Sequence, residues 1–208
     1  MTPSSRDLVV WLHVVSSVGW MSQALALLAL TFHGWVAGDR GAYEMAELLD
    51  NHVLLHLANT SILTGIMLSA MTRWGFFRHW WVLIKFVITL TQLHVAILLL
   101  GPRLTDLAEG RRESDPALLV ATLLMALAIA FQAWLSVAKP WKRTSWARAR
   151  LDVPPPPRWA VALTLTAPVL DYLLAEVVFG HPAPLFAALT AVGYPVRRGV
   201  RLARRVPA

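Results

Sequence analysis

The chain is built from apolar runs about as long as a lipid bilayer is thick, with its charges confined between them. Four such runs fall at about residues 8–30, 52–72, 80–100 and 116–138. Each is close to the ~20 residues an α-helix needs to cross ~30 Å of hydrocarbon. Helices of a soluble protein keep a polar face, whereas these are apolar nearly all round. With 57% hydrophobic and 15% charged residues among 208, an ordinary soluble domain is excluded. No cysteine is present, so disulfides, thiolate metal sites and cysteine nucleophiles are excluded as well. The first run is too long for a signal-peptide core and is not followed by a small-x-small cleavage site, so it is read as a retained helix.

Punctuation sets the boundaries. Gly34, Gly38 and Gly41 follow the first helix, Gly101-Pro102 closes the third, Asp115-Pro116 opens the fourth and Lys139-Pro140 ends it. The sequence thus predicts an all-α integral membrane protein, an antiparallel four-helix bundle over residues 1–141. A basic, proline-rich linker follows over 142–158, and a C-terminal helical hairpin with a polybasic tail over 159–208. In that last region Pro168, Asp171 and Glu176 interrupt the first apolar run, and the second is short for a span. The two acids, five residues apart, do not share a face and are open to capping the hairpin turn or meeting one another's neighbours. Keeping Arg197, Arg198, Arg201, Arg204 and Arg205 on the starting side requires a hairpin that crosses and returns or one that never crosses, and the crossing form is favoured over a re-entrant or interfacial one.

Charge sets the sidedness. With four spans, one side carries Arg6, Arg73, Arg78, Lys139, Lys142, Arg143, Arg148, Arg150 and Arg158. The other carries Arg40, Arg103, Arg111 and Arg112, together with eight acids. Nine basic residues against four place the first side in the cytoplasm of a cell with an inner (plasma) membrane. Trp11, Trp74, Trp80, Trp81, Trp141, Trp146 and Trp159 gather near that interface, as an anchoring belt does. The formal charge of +7 therefore reports membrane topology and anionic headgroups beside the tail, not nucleic acid.

Polar residues inside spans are costly and face the bundle interior or a cavity. His13, Ser16, Ser17 and Trp20 share a stripe on the first helix; His52, His56, Asn59 and Leu63 on the second; Lys85, Thr89 and Gln92 on the third; Met125, Gln132 and Ser136 on the fourth. By depth, His13, Ser16, Ser17, Lys85, Gln132 and Ser136 form a predicted inner cluster. Gln23, His56, Asn59, Gln92 and Thr122 form an outer layer. Lys85 is the only lysine before position 139, and a lysine within a span costs about 2.5–3.5 kcal/mol. It either snorkels or points inward as a catalytic group. His13, His56 and Gln132 are the candidate cofactor contacts, and His13 and His56 are also candidate metal ligands; each histidine is equally readable as a hydrogen-bonded packing residue. His94 points nearly opposite Lys85 and is not expected in the same site.

The phrases Trp11-Leu12-His13 and Trp80-Trp81-Val82-Leu83-Ile84-Lys85 resemble a broad group of small bacterial membrane bundles. That group includes the four-helix membrane protoporphyrinogen oxidase, the copper-resistance D proteins and several uncharacterised families. One uncharacterised family is similar also at Thr72 to Gly75 and at Lys139 to Trp141, and the likeness spans residues 8–141. The resemblance to the oxidase implies haem b and a functional pair at His13 and Lys85. Three functions stay open: haem-based redox or porphyrin chemistry; a non-enzymatic accessory protein with a membrane-protein partner or a second copy; and transport of a small solute or metal ion. Met21, Met67, Met71 and Met125 are the soft donors for the last.

Overall fold

Six helices follow one another among the described residues of the computed structural model, namely 3–72, 74–141, 143–145, 147 and 155–203. Helix α1 runs unbroken over Pro3–Ala37. Gly38, at φ +64°, turns the chain out of it, a backbone state that glycine adopts without a Cβ penalty. Asp39 then caps α2 by accepting from the Gly41 amide at 2.9 Å. Helix α2 spans Arg40–Met71, α3 Trp80–Ala108, α4 Pro116–Ala138 and α5 Arg158–Phe179. Helix α6 completes the chain over Leu185–Ala203.

Helices α1 to α5 are long and apolar enough to cross a membrane. Helix α6 is not among them. It carries Arg197 and Arg198 and an exposed row of Leu189, Val192, Val196 and Val200, the composition of an amphipathic arm rather than of a lipid-bathed span. It nevertheless packs antiparallel along α5 and against α2. Tyr194 meets the Trp159 ring edge-on at 5.8 Å, and Arg197 stands 5.5 Å over the same ring. The arginine-bearing part of α6 is thereby brought back to the level where α5 begins.

The first helix is longer than expected, Pro3–Ala37 against about 8–30, and takes in Gly34; two further boundaries move. The second helix starts at Arg40 rather than about 52, and the third ends at Ala108 rather than at Gly101-Pro102. Both extensions are amphipathic and pair with each other. They bury Tyr43, Ala46, Leu104, Leu107 and Ala108 with Leu27 and Leu118. Their charges are satisfied there: Arg40 Nε donates to the Ala108 carbonyl at 2.8 Å, and Thr105 Oγ1 to Glu47 at 2.5 Å. Each extension joins its apolar part through a π-helical segment, Asp50–Leu54 in α2 and Ala96–Leu100 in α3. Asp115 opens α4 as expected, accepting from the Leu118 amide at 3.1 Å while ion-pairing with Arg103 and Arg112. Lys139 closes it in the left-handed region at φ 44°.

The molecule therefore has a basic end, around residues 74–80 and 138–147, and an acidic end, around 38–50 and 101–115. At the basic end Val9, Leu63, Met67 and Met71 form one core with Ala160, Val161, Ala187 and Tyr194. The hairpin thus shares a core with α1 and α2 rather than standing apart from them. Trp74 stacks edge-on with Trp81 at 5.4 Å, and Lys139 lies 5.6 Å over its ring. The segment after α4 folds back, with Thr144 donating its amide to the Arg78 carbonyl and its hydroxyl to that of Phe77. Trp146 and residues 148–154 of the basic linker lie outside the described residues, as does Arg73.

Candidate functional site

His13 sits where α1 crosses α2. Its Nδ1 lies 3.1 Å from the Ser61 carbonyl and 3.0 Å from Thr64 Oγ1. The Thr64 hydroxyl donates to the Thr60 carbonyl at 2.7 Å, so it accepts from the ring. Two acceptors facing Nδ1 put the proton on that nitrogen and leave the lone pair of the neutral imidazole on Nε2. The close approach depends on Gly65, where a Cβ would stand 3.2 Å from His13 Cε1. One turn further on, Ser17 and Ser61 share a hydroxyl–hydroxyl bond of 2.7 Å. Small and hydroxylated residues at spacing three and four are what lets membrane helices approach and bond.

Lys85 opens a second network, between α3 and α4. Its Nζ donates to Ser136 Oγ at 2.6 Å, and Ser136 donates to the Gln132 carbonyl at 2.9 Å. Thr89 donates to Gln132 Oε1 at 2.8 Å, Gln132 Nε2 to Gln92 Oε1 at 2.5 Å, and Gln92 Nε2 to the Met125 carbonyl at 3.2 Å. The ladder climbs two turns with Gln92 and Gln132 buried. The predicted inner cluster is therefore divided. Lys85, Gln132 and Ser136 are bonded to one another, whereas His13 and Ser17 bond to α2 instead. Gln92, placed in the outer layer by depth, joins the Lys85 ladder.

His56 belongs elsewhere. It faces the hairpin, meeting Tyr172 edge-on at 5.0 Å, and lines a cavity of about 10 Å³ with Asn59, Thr60, Pro168, Asp171 and Pro184. That is room for about one water. His56 Nε2 is buried without a partner among the described residues. Beside it His52 Nδ1 reaches Glu176 at 3.1 Å. Asp171 accepts from the Phe186 and Ala187 amides at 2.8 Å each, so it caps the first turn of α6 across the hairpin. His13 and His56 thus occupy different interfaces. Among the described residues no group of three or more His, Asp or Glu side chains is arranged to hold a metal ion.

Comparison with protein-family models, with curated proteins and with solved structures finds no match to this chain. The site must be read from its own geometry.

Sequence reasoning missed Ser61 and Thr64, the residues that orient His13. The second-helix stripe of His52, His56, Asn59 and Leu63 faces the hairpin rather than α1. The signal was present in Ser61 and Gly65, a small pair four residues apart on the face next to that stripe. His94, expected away from Lys85, is indeed exposed on the opposite side of α3.

Proposed function

We propose that this chain is a multi-pass protein of the cell inner membrane that holds haem b beside His13 and Lys85 for redox or porphyrin chemistry. The observation carrying this reading is the orientation of His13. A histidine that ligates iron or another metal donates its second ring nitrogen to a carbonyl or carboxylate, which fixes the tautomer and raises ligand basicity. His13 has that arrangement through Ser61 and Thr64, and among the described residues its Nε2 has no hydrogen-bond partner. Of the residues expected from the sequence, His13 would offer its Nε2 to the haem iron, and Lys85, the catalytic candidate, would offer its ammonium to an anionic group of the haem. Gln132 has both ends of its amide committed within the ladder, and His56 lies at the hairpin interface. Haem when bound supplies one-electron chemistry, tuned by its ligands and their hydrogen bonds. The protein supplies the oriented imidazole and the ammonium held on Ser136.

The test is an absorption spectrum of the purified protein in detergent, oxidised and dithionite-reduced, after expression with haem supply. A Soret band that His13→Ala abolishes, with helical circular dichroism unchanged, is the expected result. A colourless preparation overturns the reading. It would favour the accessory-protein alternative, whose support is that Gln92, Gln132, Thr89 and Ser136 all find partners across α3 and α4 without any ligand.

A further inference from the structure

We propose that α3 carries a homodimer contact in which Thr91 of each copy donates to His94 of the other. Helix α3 is the least covered of the apolar helices. Only 11% of its apolar window is buried, against 22–33% for the other four. Its apolar part packs on α4 through the Lys85 ladder and leaves the opposite side bare. On that side Val87, Thr91, His94 and Leu98 are all exposed. Their spacing of four, three and four residues is the seam of a left-handed helix pair.

Two polar groups in the middle of this seam face lipid. His94 Nδ1 bonds the Leu90 carbonyl at 2.7 Å, which places the proton there and leaves Nε2 as a bare acceptor. The Thr91 hydroxyl is a donor with no partner among the described residues. Other exposed hydroxyls in the spans cover themselves: Ser22 donates to the Val18 carbonyl and Thr166 to that of Ala162. An uncovered donor and acceptor near mid-span are costly in hydrocarbon. They lie one turn apart on one face, so a two-fold axis along the membrane normal satisfies both at once, Thr91 to His94 in each direction. Such self-complementarity is what an isologous interface requires, and it selects a second copy over an unrelated helix. The inference is independent of haem, since neither residue approaches His13.

The absence of cysteine makes the test free of background. Val87→Cys and Leu98→Cys variants in native membranes are expected to form disulfide-linked dimers under mild oxidation, whereas Leu124→Cys on the exposed face of α4 is not. The otherwise unchanged protein in detergent should show twice the 23.1 kDa chain mass by light scattering. Thr91→Val with His94→Leu should weaken the dimer by about tenfold while helical circular dichroism stays constant. Monomeric mass together with no cross-link at 87 or 98 overturns the proposal, and so does a cross-linked adduct to a different protein.

Discussion

At the scale of single residues, the chemistry of this chain depends on which polar groups are already spent. Gln132 is the clearest case, since its amide accepts from Thr89 and donates to Gln92 in a buried position. Gln132→Leu removes both bonds and strands a donor on Thr89 and an acceptor on Gln92. The cost expected for such interhelical bonds in lipid is about 1–2 kcal/mol, readable as a lowered thermal midpoint in detergent. The haem spectrum of the loaded protein should survive this substitution, because both ends of the Gln132 amide are held within the ladder. A lost Soret band with an unchanged midpoint would reverse that assignment. Lys85 and His13 differ from Gln132 in one respect: each is held at one point rather than at both ends of the group. The ammonium has three donors and gives one to Ser136, and the imidazole keeps Nε2.

At the scale of elements, helix type and the apolar runs were legible, but the helix ends at the acidic end of the molecule, Ala37, Arg40 and Ala108, were not. Arg40, Glu44, Glu47 and Asp50 read as loop because charges mark where a chain leaves the bilayer. They do not mark where a helix stops, and Tyr43 and Ala46 carry an amphipathic continuation past that point. Gly101-Pro102 read as a terminus because proline lacks the amide that an α-helix needs and its ring crowds the preceding turn. Here the π-helical segment before it takes up the strain: the Gly101 amide bonds to the Ala96 carbonyl, five residues back, and the widened turn receives Pro102. Nothing in Ala96 to Leu100 announces that turn. The hairpin shows the same limit. Asp171 and Glu176 had no definite place in the sequence because their partners, the α6 amides and His52, are distant along the chain. Asp171→Ala should remove the cap on α6 at a cost of about 0.5–2 kcal/mol. Faster protease cleavage within residues 180–184, with the rest of the chain protected, is the expected sign. Unchanged cleavage would mean that α6 is held by its packing on α2 and α5 without help from the cap.

At the scale of the whole molecule, the open matter is how the two ends sit across a membrane. Five helices can cross, and an odd number of spans would separate the termini. The return of α6 changes that count. It runs from the His56 level, beside Asp171, back to Trp159 at the basic end, so Arg197 and Arg198 rejoin the side that already holds Arg78, Lys139 and Arg143. Placing them on the far side would oppose the positive-inside bias and separate Arg197 from the Trp159 ring. The apolar row of Leu189, Val192, Val196 and Val200 meets lipid when the arm lies in the groove between α2 and α5, with Ala187 and Tyr194 inward. Single cysteines report on this directly. Ser145→Cys and Gly199→Cys should react with an impermeant maleimide only in inside-out vesicles, and Glu109→Cys and His181→Cys only in right-side-out ones. At Gly199 a side chain meets open space, so the label itself should not disturb packing. Labelling of positions 181 and 199 from the same side would place the hairpin in one interface. It would also require α5 to lie along the membrane, against the apolar length that makes it a span.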